Sequence, residues 1–265
     1  MKSVHDNTPE AILELSVLKH MVDKKTIALE AALTEVTRSN TELEQFAFIA
    51  SHELQEPLRK IVSFGNLLSE YYGHQLDAKG TDYLDRMKSA AKRMQSQIDN
   101  LLRYSRISTE DITFEPVNLN ELVKKMAIDF DEEIRSDGGI LNIDQLPEIQ
   151  GDALQLRQLF LNLIGNAIKF RHRNRPLVIN INTTFHDKEV IIKISDNGIG
   201  FEQSQSESIF GIFHRLHGDT RYSGSGIGLA ICRRIVRRHS GAICAFGNPG
   251  KGACFHITFS KYPIR

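Results

Sequence analysis

A chain of 265 residues exceeds the roughly 100 to 200 that one hydrophobic core commonly serves, so two compact units, or one long element plus a domain, are expected. Lysine plus arginine and aspartate plus glutamate both total 33, which leaves no net field to draw the chain to nucleic acid or anionic lipid. No apolar run approaches the ~20 residues that cross a bilayer, and the opening MKSVHDNTPE lacks a signal core, so a soluble, cytoplasmic chain is expected, with any membrane segment upstream in a longer natural protein.

An apolar residue recurs at every seventh position through Leu15, Val22, Leu29, Val36, Leu43 and Ala50, with Leu18, Ala32 and Phe46 on the neighbouring seam. This is a coiled-coil pattern. Lys25 and Ser39 fall on its inner seam and weaken it locally. The seam then shifts frame into Ala47, Ala50, Leu54, Pro57, Ile61, Phe64 and Leu68, which predicts one long helix, adjusted near residues 43–50 and kinked at Pro57. YYGHQLDAKG, residues 71–80, reads as a helix–helix turn. A second amphipathic helix follows from about Thr81 to Ile107 through Leu84, Met87, Ala91, Met94, Ile98 and Leu101. Two such helices cannot bury both seams alone, so a homodimer of hairpins forming a four-helix bundle is expected.

After Ser108 the pattern becomes mixed, and a second domain begins. Helices are predicted at 119–133, 152–170 and 226–239, and strands at 112–117, 140–143, 177–185, 189–195, 242–246 and 253–259. The links His-Asp and Gly-Asn-Pro-Gly-Lys-Gly read as hairpin connections. The fold class is therefore α+β, with an antiparallel or mixed sheet covered by helices on one face. Cys232, Cys244 and Cys254 lie in apolar runs without CxxC spacing and read as reduced core residues. The expected division is 1–44 for the coiled coil, 45–108 for the hairpin and 109–265 for the α/β domain.

Four segments carry chemistry. In Ser51-His52-Glu53-Leu54-Gln55-Glu56-Pro57, Ala50 and Leu54 face the seam, which turns His52 toward solvent at ~100° per residue. A neutral imidazole there is a usable nucleophile, and Glu53 can accept its proton, although an ordinary solvated histidine has the same signature. Asn162, Asn166 and Lys169 share one helix face opposite Leu156, Leu159, Phe160 and Leu163. Two carboxamides and an ammonium suit Mg²⁺ with phosphates, or else form a plain polar face. Asp196-Asn197-Gly198-Ile199-Gly200 follows a strand; the acid can accept from an exocyclic amine such as that of adenine, and a simple β-turn is the alternative. Gly224-Ser225-Gly226-Ile227-Gly228-Leu229 opens a helix as a phosphate cradle would, without a P-loop lysine or a dinucleotide-binding context.

In order and spacing these four segments resemble the H, N and two glycine boxes of sensor histidine kinases, and IFGIFHRLH, residues 209–217, resembles the F box between them. HELQEPLRK and IFHRLH resemble in particular the kinase modules behind phytochrome-type light sensors. The resemblance implies a dimerisation and phosphoacceptor hairpin followed by an α/β-sandwich ATP-binding domain of the Bergerat (GHKL) type. It implies His52 as phosphoacceptor, Glu53 as its proton acceptor, and ATP with Mg²⁺ as cofactors. Asn166 would hold the metal, with Asn162 and Lys169 beside the phosphates. Asp196 would read adenine in a pocket shaped by Gly198 and Gly200, while Gly224, Ser225, Gly226, Gly228 and Leu229 would line the phosphate end. Residues 202–223 would form a mobile lid carrying Arg215 as a phosphate contact. The implied partners are a second copy, a response regulator receiver domain acting in trans, and an upstream sensor domain or protein. One departure is Glu56, where many relatives carry threonine or asparagine to help water attack the phosphorylated partner. The alternatives are another dimeric GHKL-type ATPase, or a signalling scaffold without kinase activity.

Overall fold

A single helix, α1 (Pro9–Tyr72), occupies the first quarter of the chain and runs through Pro57. The computed structural model describes residues 9–109, 113–136, 138–216 and 224–260, without the side chains of 9–13, 15, 40, 41, 43–48, 50, 52, 106, 108 and 109. The seam positions Leu15, Leu43, Phe46, Ala47 and Ala50 therefore lie outside the described side chains. The chain divides into two units, residues 1–52 and 53–265. In the first, Val17, Leu18, Val22, Leu29, Leu33 and Val36 are all exposed, so this stretch of α1 has an apolar surface that a lone chain leaves in water.

In the second unit α1 ends at Tyr72, a short 3₁₀ turn covers Gly73–Gln75, and α2 spans Ala78–Thr109. The Asp77 carboxylate accepts from the Gly80 amide at 2.7 Å and caps the incoming helix, which lets α2 begin three residues earlier than its apolar period announces. The hairpin closes through Leu58, Leu84 and Ala91, which are buried, and Gly65, where an added Cβ would lie 2.8 Å from Lys88 Cγ. Lys88 also donates to Ser69 Oγ at 2.8 Å. Of the predicted seams, Leu54, Ile61, Phe64 and Leu68 of α1 and Met87 and Met94 of α2 stay exposed, while Leu84 and Ala91 of α2 are used inside the hairpin, against Leu58, which lies off the predicted α1 seam.

The α/β part opens with β1 (Glu115–Asn118) and α3 (Leu119–Arg135), followed by β2 (Ile140–Ile143), β3 (Glu148–Gly151) and α4 (Ala153–Lys169). Then come β4 (Val178–Phe185), β5 (Glu189–Asp196), α5 (Gly228–Arg238), β6 (Ala242–Asn248) and β7 (Gly252–Ser260). Polar side chains start both long helices: Asn118 accepts from Glu121 N at 3.1 Å and Asp152 from Gln155 N at 2.8 Å. The main sheet has the order β2-β4-β5-β7-β6, with β2 and β4 parallel and the other pairs antiparallel. Ile179, Ile181, Val190, Ile192, Ile194, Phe255, Ile257 and Phe259 alternate onto its buried face beneath Met126, Phe160, Leu163, Ile231 and Ile235 of the three helices. Removing the ring of Phe160, which is wholly buried, costs about 3–5 kcal/mol at such a site.

One pairing lies beyond the expectations, and two expectations are corrected. The pairing of β1 with β3 in a separate two-stranded sheet was not predicted, because β3 is four residues long and its only buried apolar side chain is Ile149. Of the three cysteines, all free, only Cys232 is a core residue; strand alternation puts Cys244 opposite His256 on the uncovered sheet face, where it is exposed, and Cys254 is half-buried. The segment expected to form a lid from residue 202 is anchored in its first part. Two 3₁₀ turns, Gln203–Gln205 and Ser208–Phe210, bury Ile209 and Phe210, and Arg233 lies 4.2 Å over the Phe210 ring while pairing with Glu207 at 2.7 Å. Residues 217–223 lie outside the described residues.

His239 locks β3, α4 and α5 together. Its Nδ1 donates to the Ile235 carbonyl at 2.8 Å and its Nε2 accepts from the Asp152 amide at 3.0 Å, so the ring is neutral with the proton on Nδ1. Phe114 and Phe259 pack edge-on against it. Burial, aided by Arg238, holds its pKa below the usual 6.5, while the Ile235 bond and Asp152 oppose the shift. The unfolded chain thus takes up a proton near pH 6.5 that the folded chain refuses, and stability present above that pH is lost as the pH falls below it. Thermal unfolding from pH 7.5 to 5.5 is expected to show a fall in Tm for the wild type that is smaller in His239→Gln, which keeps an acceptor for Asp152 and cannot titrate.

Candidate functional site

A cavity of about 350 Å³ lies between α4, the ends of β5 and β7, and the start of α5. The apolar face of α4 sets one wall. Because Leu156, Leu159, Phe160, Leu163, Ala167 and Ile168 are buried, Asn162, Asn166 and Lys169 turn to the cavity. The Asn162 amide donates to the Gly228 carbonyl at 3.3 Å and tethers the first turn of α5 to α4, while its Oδ1 accepts from Gln158 at 3.2 Å. Lys169 Nζ sits 4.5 Å over the Phe170 ring, and a Cβ added at Gly224 would lie 2.5 Å from it. Burial first, and the charge of Arg215 second, hold the Lys169 pKa below that of a free lysine. Two cations gathered here favour an anionic group.

Asp196 ends β5 at the other side. Its Oδ1 accepts from the Gly198 amide at 2.8 Å and the Ala253 amide at 3.3 Å, so the carboxylate has a fixed orientation. Burial raises its pKa, against the pull of those two amides and the charge of Arg175. Gly198 stands behind it; a Cβ there would be 2.5 Å from the Phe170 carbonyl oxygen. Gly200 has φ +64° and a Cβ there would be 2.1 Å from the Asn248 carbonyl oxygen, so only glycine fits.

Asn162, Asn166, Lys169, Asp196, Gly200, Arg215, Gly224, Ser225, Gly226, Gly228 and Leu229 line this one cavity, although they come from four separate stretches of sequence. Glu53 is exposed on α1, and the His52 side chain lies outside the described residues. Sequence reading missed Phe201 and Phe255, which line the cavity, because either reads as ordinary core. It also missed Asn100 of α2. Tertiary packing brings that residue here: Arg234 of α5 lies 4.3 Å over the Tyr104 ring, and Ile107 joins the core of the α/β part.

Residues 42–110 match the His Kinase A (phospho-acceptor) domain, and residues 151–263 match the Histidine kinase-, DNA gyrase B-, and HSP90-like ATPase family. Together these matches cover more than half of the chain. The chain is 37% identical over 249 residues to cyanobacterial phytochrome A of Nostoc sp. (strain PCC 7120), covering 94% of this chain and 32% of that protein. It spans about a third of the length of the cyanobacterial phytochromes it matches. Full-length ShkA in complex with AMPPNP shares the fold at TM-score 0.62 and 24% identity, over 83% of this chain and 47% of that one. ThkA in complex with the response regulator protein TrrA does so at TM-score 0.59 and 21% identity, over 85% and 65%.

Replacing Asp196 by Asn keeps the size and one oxygen for the two backbone N–H groups, but removes the charge and puts an NH2 donor where the second carboxylate oxygen accepts. Loss of a charged hydrogen-bonding group of this kind costs about 1.5–3 kcal/mol. Adenine-nucleotide binding, measured by calorimetry, is expected to weaken by about tenfold or more.

Proposed function

Since this chain belongs to the sensor histidine kinases, we propose that it moves the γ-phosphoryl group of ATP to His52 and then to an aspartate of a separate response regulator. The observation that carries this reading is the cavity itself, which joins an oriented carboxylate, Asp196, to a cationic end with Lys169, Arg215 and the first turn of α5, within a chain that also carries the phosphoacceptor match. Asp196 accepts from the adenine 6-amino group. Lys169, Arg215 and the backbone from Gly224 to Gly228 hold the phosphates, whose charge suits an N-terminal helix turn.

The described residues contain no cluster of three or more His, Cys, Asp or Glu that could hold a metal. Mg²⁺ binds through substrate phosphates, waters and one or two protein oxygens rather than a dedicated cage. Asn166 would supply the amide oxygen, and the ion would neutralise charge on the phosphate oxygens.

In the transfer, a ring nitrogen of His52 attacks the γ-phosphorus, the bond to the bridging oxygen breaks, and ADP leaves. Glu53 accepts the imidazole proton, so the product is a neutral-ring phosphohistidine. The carboxylate of the regulator's aspartate then takes the phosphoryl group and restores His52. Residues 1–44 act as the signalling helix from an upstream sensor, 45–108 as the dimerisation and phosphotransfer hairpin, and 109–265 as the ATP-binding domain. Leu54, Phe64, Met87 and Met94 are exposed in the single chain and would be covered by a second hairpin. No helix among the described residues is long and apolar enough to cross a membrane. A kinase core that consumes ATP acts in the cytoplasm, where ATP is supplied.

Incubation with γ-labelled ATP and Mg²⁺ is expected to give an alkali-stable, acid-labile label that His52→Gln abolishes. Binding of ATP without labelling would favour another GHKL-type ATPase instead. Glu56 pairs with Lys60 at 2.9 Å and places a carboxylate where a water-orienting side chain would serve hydrolysis of the phosphorylated regulator. Release of phosphate from the regulator is therefore expected to be slow with the wild type and faster with Glu56→Thr, as read by the half-life of the labelled regulator.

A further inference from the structure

Arg175 lies outside all the motifs and is absent from the cavity lining, yet its side chain makes four hydrogen bonds to backbone carbonyls beside the site. Its Nε donates to the Asn197 carbonyl at 2.9 Å, and one terminal nitrogen donates to the same oxygen. That nitrogen also reaches the carbonyls of Gly198 at 3.1 Å and Gly250 at 2.8 Å. Three carbonyls from two loops therefore converge on one guanidinium. Two of them belong to the turn directly after Asp196, and the third belongs to the connection between β6 and β7.

Asn197 completes the clasp in the opposite direction. Its amide donates to the Pro176 carbonyl at 2.9 Å, and its Oδ1 accepts from the Val178 amide at 2.9 Å. The residues beside Arg175 and the turn after Asp196 are thus stitched together from both sides. The backbones also approach closely here: a Cβ at Gly252 would lie 1.9 Å from the Asp196 carbonyl oxygen. The Gly250 amide also donates to the Ile199 carbonyl at 2.7 Å.

We infer that Arg175 is a positioning residue of the nucleotide site, a guanidinium buckle that fastens the turn carrying Asp196 to the β6–β7 hairpin and so holds the base pocket ready-formed. This rests on the reading of the cavity as an ATP site. Carbonyl oxygens crowded together repel one another, and a planar cation with several forked N–H donors relieves that repulsion at once. A lysine supplies the charge but not the fork. The buckle has an electrostatic consequence as well, since the Arg175 charge favours the ionised form of Asp196 against the burial that disfavours it.

The test is calorimetric titration of ADP into the full chain from pH 5 to 8, for the wild type, Arg175→Met and Arg175→Lys, with folding checked by circular dichroism. Arg175→Met is expected to weaken ADP binding by about tenfold or more, the size of effect seen when the partner that orients a binding group is removed. Its acidic loss of affinity is expected to begin at higher pH, because Asp196 loses the cation that favours its carboxylate. Arg175→Lys is expected to restore the pH profile while recovering only part of the affinity. A stabilising role alone would lower Tm and leave the pH profile unmoved. Wild-type affinity at every pH in a folded Met variant overturns the inference; if that variant does not fold, wild-type affinity in the Lys variant does so. A wild type that binds no ADP removes the ATP-site reading itself, and this inference with it.

Discussion

The packing of α4 against the sheet is the constraint on which the site depends. A helix that buries Leu156, Leu159, Phe160, Leu163, Ile164 and Ala167 has no rotational freedom left, so the polar positions between them, Asn162, Asn166 and Lys169, must face the cavity. Asn162 extends that constraint outward. Its bond to Gly228 fixes where α5 begins, and hence where the backbone from Gly224 to Gly228 presents itself. The burial of each of the large side chains among them contributes about 1.5–3 kcal/mol.

The cavity is polarised along its length. At one end Asp196 is an acceptor aimed by two backbone amides; at the other Lys169 and Arg215 bring two cations close enough to disfavour one another. A ligand with a hydrogen-bond donor on an aromatic base at one end and negative charge at the other fits this arrangement. The hairpin lies beside it: Tyr104 under Arg234, and Ile107 in the core, bring the last turns of α2 against the α/β part and put Asn100 at the cavity wall. α2, whose Met87 and Met94 stay exposed, therefore also borders this cavity.

Much of this was legible in the sequence, because its period-two and period-3.6 patterns were strong. The sheet strands and the three helices of the α/β part follow from Ile179, Ile181, Ile192 and Ile194 alternating inward, and from caps such as Asn118 and Asp152. The glycine-rich segments were visible too, and Gly200 has the positive φ that such turns require. The rest depended on contacts distant in sequence. Arg175 looks like one more cation in a basic stretch until three carbonyls are found around it. Ile209 and Phe210 are buried in what reads as a loop, and Arg233, in a helix some twenty residues later, lies over the Phe210 ring and pairs with Glu207. Cys244 reads as core from its apolar neighbours, and only the pairing register with His256 shows it on the open face. For His52 the local pattern allows a nucleophile or a plain surface residue, and only the resemblance carried by the order of the other segments implies the nucleophile.

The central claim is that one cavity reads adenine through Asp196 and phosphates through its cationic end. Titration of ATP and GTP into the full chain in the presence of Mg²⁺ tests it most directly, since guanine places a carbonyl oxygen where adenine carries its amine. Tight binding of ATP with GTP weaker by at least an order of magnitude is the predicted result, because the two acceptors would face each other across Asp196. Equal affinities would contradict the account.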